Sequence, residues 1–199
     1  MALITDKSVF LHAPKCGGWW VRKIFKAANI PHHEVGHEHS HFPELLQYHP
    51  IEFYKRRLIF TFIRHPLSWY QSRWTFRMKT GWEMSHPLDF ACSSNNFQTF
   101  INNVLKFQPG WFTSECGNYI RNTDRVGRLE NLVSDMQSIL EAAGEKFDPA
   151  ILRTIHRLND SDMDGKPSKY WAQYTPELAE KVLFSERSIV ERFYKDYHA

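Results

Sequence analysis

Two short stretches carry residue types that can hold an anion. The first is Pro14-Lys15-Cys16-Gly17-Gly18-Trp19-Trp20. It follows the apolar run Val9-Phe10-Leu11 and precedes a helical-looking segment, residues 21–28. A strand, a glycine turn and a helix together bring backbone N–H groups and a helix N-terminus to bear on a negative charge. Here the lysine precedes the glycines. In the common nucleoside-triphosphate loop it follows them, as Gly-x-x-x-x-Gly-Lys-Ser/Thr, and that pattern occurs nowhere in the chain. The order points to a different phosphate or sulfate chemistry. The second stretch runs from Arg64-His65-Pro66 to Ser72. An arginine at a strand's end offers a planar fork of donors, and a serine two turns into the next helix adds a hydroxyl. The two can converge on one phosphate.

The elements that must position these residues are legible in outline. Residues 8–12 read as a strand and residues 19–29 as a helix closed by Pro31. A histidine-dense stretch follows, with His32, His33, His37, His39 and His41, and then a polar helix over 43–48. Leu58-Ile59-Phe60-Thr61-Phe62-Ile63 is apolar almost throughout, as a strand covered on both faces should be. A helix over 67–79 follows it. Residues 80–122 carry one clear helical period, over 97–107. A short strand is expected at 125–129, with Asn131 capping a helix over 132–143 that Gly144 ends. Asp148-Pro149 opens a helix to 158, and Thr175-Pro176-Glu177 opens a last one with apolar face Leu178, Val182, Ile189, Phe193 and Tyr197. Strands alternating with helices predict an α/β fold with a parallel sheet. Ligands of such sheets bind at the carboxyl ends of strands, which is where both stretches lie.

Composition narrows the partners. The 199 residues suit one domain, and 42% hydrophobic with 24% charged residues is ordinary globular chemistry. A formal net charge of +3 is too small for a protein that coats nucleic acid, yet compatible with a local basic pocket. Cys16, Cys92 and Cys116 are odd in number and unrelated in spacing, which predicts free thiols rather than a disulfide framework or a zinc site. No apolar run approaches the roughly 20 residues that span a membrane, and the first residues lack a signal-peptide core. A complete natural chain of this kind is expected in the cytoplasm. A luminal catalytic fragment is expected if an anchor has been cut away.

With both stretches placed after strands, the chain resembles the sulfotransferases that use 3′-phosphoadenosine 5′-phosphosulfate (PAPS). In that family Pro-Lys-x-Gly wraps the 5′-phosphosulfate, and Arg-x-Pro with a serine eight residues after the arginine holds the 3′-phosphate. Pro14-Lys15-Cys16-Gly17 matches the first motif, and Arg64, Pro66 and Ser72 match the second. The segment from His12 to Gly18, the turn Leu129-Glu130-Asn131-Leu132 and the aromatic-rich C-terminal helix look most like the carbohydrate-type branch. The resemblance implies a three-layer α/β/α architecture with a central parallel sheet, P-loop-like, in one domain over residues 1–199. It implies PAPS as co-substrate, adenosine 3′,5′-bisphosphate as product and no metal. The acceptor would be a hydroxyl on a carbohydrate or small metabolite. Two departures stand out. Gly18 and Trp19 occupy places where the family has Ser or Thr, and His65 replaces the usual acid. Backbone N–H groups at Gly17, Gly18 and Trp19 remain to cradle the anion.

The resemblance also distributes roles. Sulfuryl transfer needs in-line positioning and stabilisation of charge on the leaving oxygen, much as phosphoryl transfer does. Lys15 would supply the positive charge. Trp19, Trp20, Trp69 and Trp74 would stack on the adenine or shape the acceptor pocket, and Lys166, Ser168 and Lys169 lie in a late polar loop that would close over the nucleotide. A base histidine is expected shortly before the strand that delivers Arg64, in His37-Glu38-His39-Ser40-His41. His41 comes first and His39 second, with Glu38 as a carboxylate alternative. Alternating histidines also suit Zn²⁺, although no cysteine or carboxylate completes an obvious set. Two other classes fit less of the sequence: a catalytically silent nucleotide-binding protein, and a P-loop kinase or NTPase, which would need the missing triphosphate motif.

Overall fold

The computed structural model describes residues 1–155 and 168–196. The chain divides into two compact units, Met1–Arg64 with Cys116–Leu158, and His65–Glu115 with Asn159–Ala199. The first is built on a five-stranded sheet. Its strands are β1 (Ala2–Ile4), β2 (Ser8–Leu11), β3 (His33–Val35), β4 (Leu58–Ile63) and β5 (Arg125–Arg128), in the order β3-β1-β2-β4-β5.

The sheet is mixed, where an all-parallel one was expected. β2, β4 and β5 are parallel, while β1 runs antiparallel to both of its neighbours. The cause is local. Thr5 N donates to Ser8 O at 2.9 Å and Ser8 N to Thr5 Oγ1 at 2.7 Å, folding the chain back around Asp6-Lys7 as a tight hairpin. A strand of three residues is too short to show a period, so the sequence gives no sign of β1. β3 is hidden in the same way inside the histidine-dense stretch. Its exposed His33 and Glu34 lie on the sheet's outer edge, and charged or polar groups there discourage pairing with another chain.

Helix α1 (Gly18–Ala27) buries Trp20, Val21, Ile24 and Phe25 at helical spacing and leaves Trp19, Lys23 and Lys26 outside. Two single-turn helices, α2 (Phe42–Leu45) and α3 (Ile51–Tyr54), lead into β4. β4 matches its sequence reading residue for residue, because both of its faces are covered. A 3₁₀ turn, Leu129–Asn131, precedes the helix Leu132–Ala143, which packs on β4 and β5 and ends on Gly144 at φ 72°. Asn131 stands at the cap position without a side-chain bond. Asp135 serves the turn instead, accepting from Arg128 N at 2.7 Å. A further helical turn, Ile151–Thr154, closes the unit. The helix expected to 158 is interrupted at Ile155, which is extended, and residues 156–158 lie outside the described residues.

The second unit is helical. We label its first three helices α4 (Pro66–Thr80), α5 (Pro87–Cys92) and α6 (Phe97–Phe107). Trp69, Tyr70 and Trp74 of α4 are buried, and so are Arg73 and Arg77. The arginines converge on Asp89, which has no exposed surface. Arg73 Nη2 lies 2.6 Å from Asp89 Oδ1, and Arg77 pairs with Asp89 and, at 2.8 Å, with Glu83. The helix Trp111–Ile120 starts in this unit, a region with no period in the sequence. The last helix expected from sequence is two helices, Pro176–Ser185 and Arg187–Phe193. The first is capped as read, by Thr175 Oγ1 accepting from Leu178 N at 3.2 Å. The break is Glu186, whose carboxylate is buried. It accepts from Tyr70 Oη at 2.6 Å and from Thr113 N at 2.8 Å, which satisfies an orphan N–H in the first turn of the helix Trp111–Ile120. Among the described residues no helix is long and apolar enough to cross a membrane.

Replacing Glu186 leaves a buried tyrosine hydroxyl and a helix N-terminus without their acceptor. Glu186→Ala is expected to lower stability by about 3 kcal/mol, read from the midpoint of urea unfolding.

Candidate anion site

β2 and β4 lie side by side and run the same way, with Leu11 opposite Thr61. Thr61 Oγ1 fastens the pair by donating to Leu11 O at 2.8 Å. The loops that leave their carboxyl ends therefore emerge next to each other. From β2 the chain goes to β3 at one edge of the sheet, and from β4 it goes to β5 at the other. Where connections diverge in this way, an open α/β sheet has a crevice at its strand ends. The Lys15 loop and Arg64 flank it, Arg64 following directly on Ile63.

The loop is strained at one residue. Lys15 has φ 61°, in the left-handed region that side chains with a Cβ avoid at a cost of about 1 kcal/mol. Gly17 has φ 87° without that cost, and a Cβ there would come within 2.7 Å of Leu129 Cδ1. Cys16 is buried, its thiol donating to Pro14 O at 3.3 Å. Trp20 N and Val21 N both donate to Gly17 O, at 3.0 and 3.2 Å, and so begin α1. The N–H groups of Gly17, Gly18 and Trp19 precede those first bonds, at the positive end of the helix.

Gly18 is fixed by a neighbour. A Cβ on it would lie 1.9 Å from His12 Cδ2 and 2.0 Å from Nε2. The His12 ring fills the volume in which a side chain at position 18 would start, so no hydroxyl residue fits there. His12 is 3% exposed, and its Nδ1 is buried with no hydrogen-bond partner among the described residues. Burial pushes its pKa down to about 2, helped by electrostatic coupling to His39, Arg22, the N-terminus and Lys15.

The histidine loop is held against the same place. Ser40 Oγ accepts from His37 N at 2.7 Å and Ser40 N donates to His37 O at 3.1 Å, closing a turn that presents His39. His39 Nδ1 lies 2.9 Å from His12 O, and the two rings meet edge to face at 4.7 Å. Tyr119 Oη donates to His39 O at 2.8 Å. His41 stands at the N-terminus of α2, with Nδ1 3.3 Å from Glu44 Oε1 and its ring edge-on to Tyr119 at 5.5 Å.

The first unit thus carries Pro14, Lys15, Cys16, Gly17, Gly18, Trp19 and Arg64 in the segments that leave the carboxyl ends of the neighbouring strands β2 and β4, with His39 beside His12. Trp19 is 55% exposed, whereas Trp20 is in the core with its indole N–H on Ile155 O at 2.9 Å. Ser72 is buried on α4, in the second unit. Ser168 opens the short helix Ser168–Trp171 of that unit, and Lys166 lies outside the described residues. Among the described residues no three His, Cys, Asp or Glu side chains are grouped to hold a metal ion. His12 and Tyr119 carry no role in the sequence reading. A buried polar residue at the last step of an apolar strand was the one available signal for His12, and Tyr119 gave none. Comparison with family models, with curated proteins and with solved structures returned no match.

Gly18→Ala forces a methyl group into the His12 ring and is expected to cost about 1–3 kcal/mol by thermal unfolding. A second expectation concerns pH. Between pH 6.5 and about 2 the unfolded chain binds a proton at residue 12 that the folded chain refuses, so stability falls as pH falls. His12→Gln removes that dependence. Urea titrations at pH 7.5 and 5.5 should show wild type losing about 1 kcal/mol relative to the variant.

Proposed function

We propose that the chain is a PAPS-dependent sulfotransferase, with the three-layer sulfotransferase architecture, acting on a hydroxyl of a carbohydrate or small metabolite. One observation carries the reading. The parallel pairing of β2 with β4 sets the strained Lys15 loop beside Arg64, at the point where the chain's connections diverge. These are the two motifs that the resemblance assigns to the two ends of one bisphosphorylated nucleotide.

The residues divide the work as follows. N–H groups of Gly17, Gly18 and Trp19 hold the phosphosulfate, and Arg64 holds the 3′-phosphate. The acceptor oxygen attacks sulfur from the side opposite the leaving group. A new S–O bond forms, the S–O bond to the bridging oxygen breaks, and adenosine 3′,5′-bisphosphate departs. The Lys15 ammonium meets the charge that develops on that bridging oxygen. The acceptor proton goes to a histidine. His39 is favoured over His41, because its Nδ1–H donates to His12 O, which holds the ring against the residue that leads into the Lys15 loop. His41 Nδ1 faces Glu44 in the first turn of α2, one element further from the Lys15 loop.

Calorimetric titration with adenosine 3′,5′-bisphosphate, ADP and ATP tests the reading. The 3′-phosphate should tighten binding about tenfold or more, and Arg64→Ala should abolish that preference. Labelled PAPS then separates an enzyme from a silent binder. Lys15→Ala should abolish transfer while leaving the far-ultraviolet spectrum unchanged. Absence of a 3′-phosphate preference in the wild type would refute the reading.

A further inference from the structure

We propose that His12 is a ligand-binding residue whose imidazole supplies the side-chain donor of the anion loop, in the place where Gly18 carries none. It rests on the preceding reading only for the identity of the anion. Three observations support it.

The first is position. Nε2 and Cδ2 of His12 lie where the first side-chain atom of residue 18 would be. The ring therefore covers the opening residue of a ten-residue helix, next to the N–H groups that start it. The second is the state of the ring. His12 is 97% buried by its 3% exposure, and Nδ1 finds no partner among the described residues. A buried N–H without an acceptor is rarer than an acceptor without a donor. We place the proton on Nε2, on the ring edge that lies over Gly18, where a bound anion accepts it. The third is electrostatic. Burial and the surrounding positive groups keep the ring neutral, so it donates a hydrogen bond without adding a buried charge that would need its own counter-ion.

This arrangement has a simple logic. A serine or threonine at position 18 would place a short donor over the helix N-terminus. Here the donor comes from the end of β2 and reaches the same place from the other side. The glycine makes room for it. The exchange of a hydroxyl on the helix for an imidazole on the strand accounts for Gly18 and for the burial of His12 together.

The test uses inorganic pyrophosphate and adenosine 3′,5′-bisphosphate as probes, titrated calorimetrically into the full chain. His12→Leu should weaken both by about tenfold or more, the loss expected for one hydrogen bond to a charged group. His12→Gln, whose amide nitrogen reaches the place of Nε2, should stay within about threefold of wild type. The double variant His12→Ala with Gly18→Ser restores a hydroxyl over the helix and should recover most of the affinity lost in His12→Ala. Should His12→Leu not fold, His12→Asn, whose amide stops at the place of Nδ1, replaces it against His12→Gln. A folded His12→Leu that binds both probes as wild type does would overturn the inference, whatever the nucleotide preference. Pyrophosphate binding that depends on His12 without any 3′-phosphate preference would uphold the inference and remove the PAPS reading.

Discussion

A parallel ladder cannot be closed by a tight turn, and the four residue pairs that join Ser8 to Leu11 with Leu58 to Thr61 are of that kind. Once β2 and β4 run in the same direction, the chain must leave the carboxyl end of the sheet, travel and return to the amino end. α1, the β3 excursion and the two single-turn helices are that return path. Each loop at the carboxyl end exists because the pairing demands a departure there. The Lys15 turn and the strand exit at Arg64 are two such departures, and they are neighbours because their strands are.

The costs in the first unit gather at the same end. Lys15 holds a backbone conformation that lysine avoids, Gly18 gives up its side chain, and His12 is buried with a nitrogen unsatisfied. Sequences that specify one structure obey local rules nearly everywhere and break them where something other than stability is selected. The second unit offers a contrast. Its buried charges meet opposite charge or donors, Asp89 with Arg73 and Arg77, and Glu186 with Tyr70 and the helix at Thr113. Pairing of opposite charge holds these groups in the core, although Arg73 Nε and Thr113 Oγ1 there have no hydrogen-bond partner among the described residues.

Much of the first unit was legible in the chain. Six consecutive residues at 58–63 cannot be mistaken for anything but a covered strand, and the helix after Gly18 announces itself by Val21, Ile24 and Phe25. The antiparallel half of the sheet was not legible, because Ala2–Ile4 and His33–Val35 are shorter than any period. Glu186 shows a different limit. Nothing around it forbids a continuous helix, and only its tertiary partners, a tyrosine 116 residues away among them, draw its carboxylate inward and break the axis. At the candidate site the residue types were visible, and so was the oddity of Gly18-Trp19. Its explanation was not, since contact between the His12 ring and the space over Gly18 depends on how β2 hands over to α1. The orientation of His39 was equally hidden, being set by a carbonyl 27 residues earlier.

The sheet's mixed character also imposes a timetable on assembly. The β1–β2 hairpin joins residues only a few positions apart, and such hairpins form in roughly 1–10 μs. The ladder beside it joins residues 50 apart, and the hydrogen bond from Ile59 N to Asp124 that fastens the next one spans 65. Loop-closure entropy must be met before those contacts return anything. On a nascent chain the antiparallel half is complete once residue 35 has emerged, and it already includes the Lys15 turn. Arg64 arrives later, and β5, which locks β4 from the far side, later still. The carboxyl end of the sheet therefore matures in two stages, with the Lys15 turn in place before the strand exit at Arg64 comes to lie beside it.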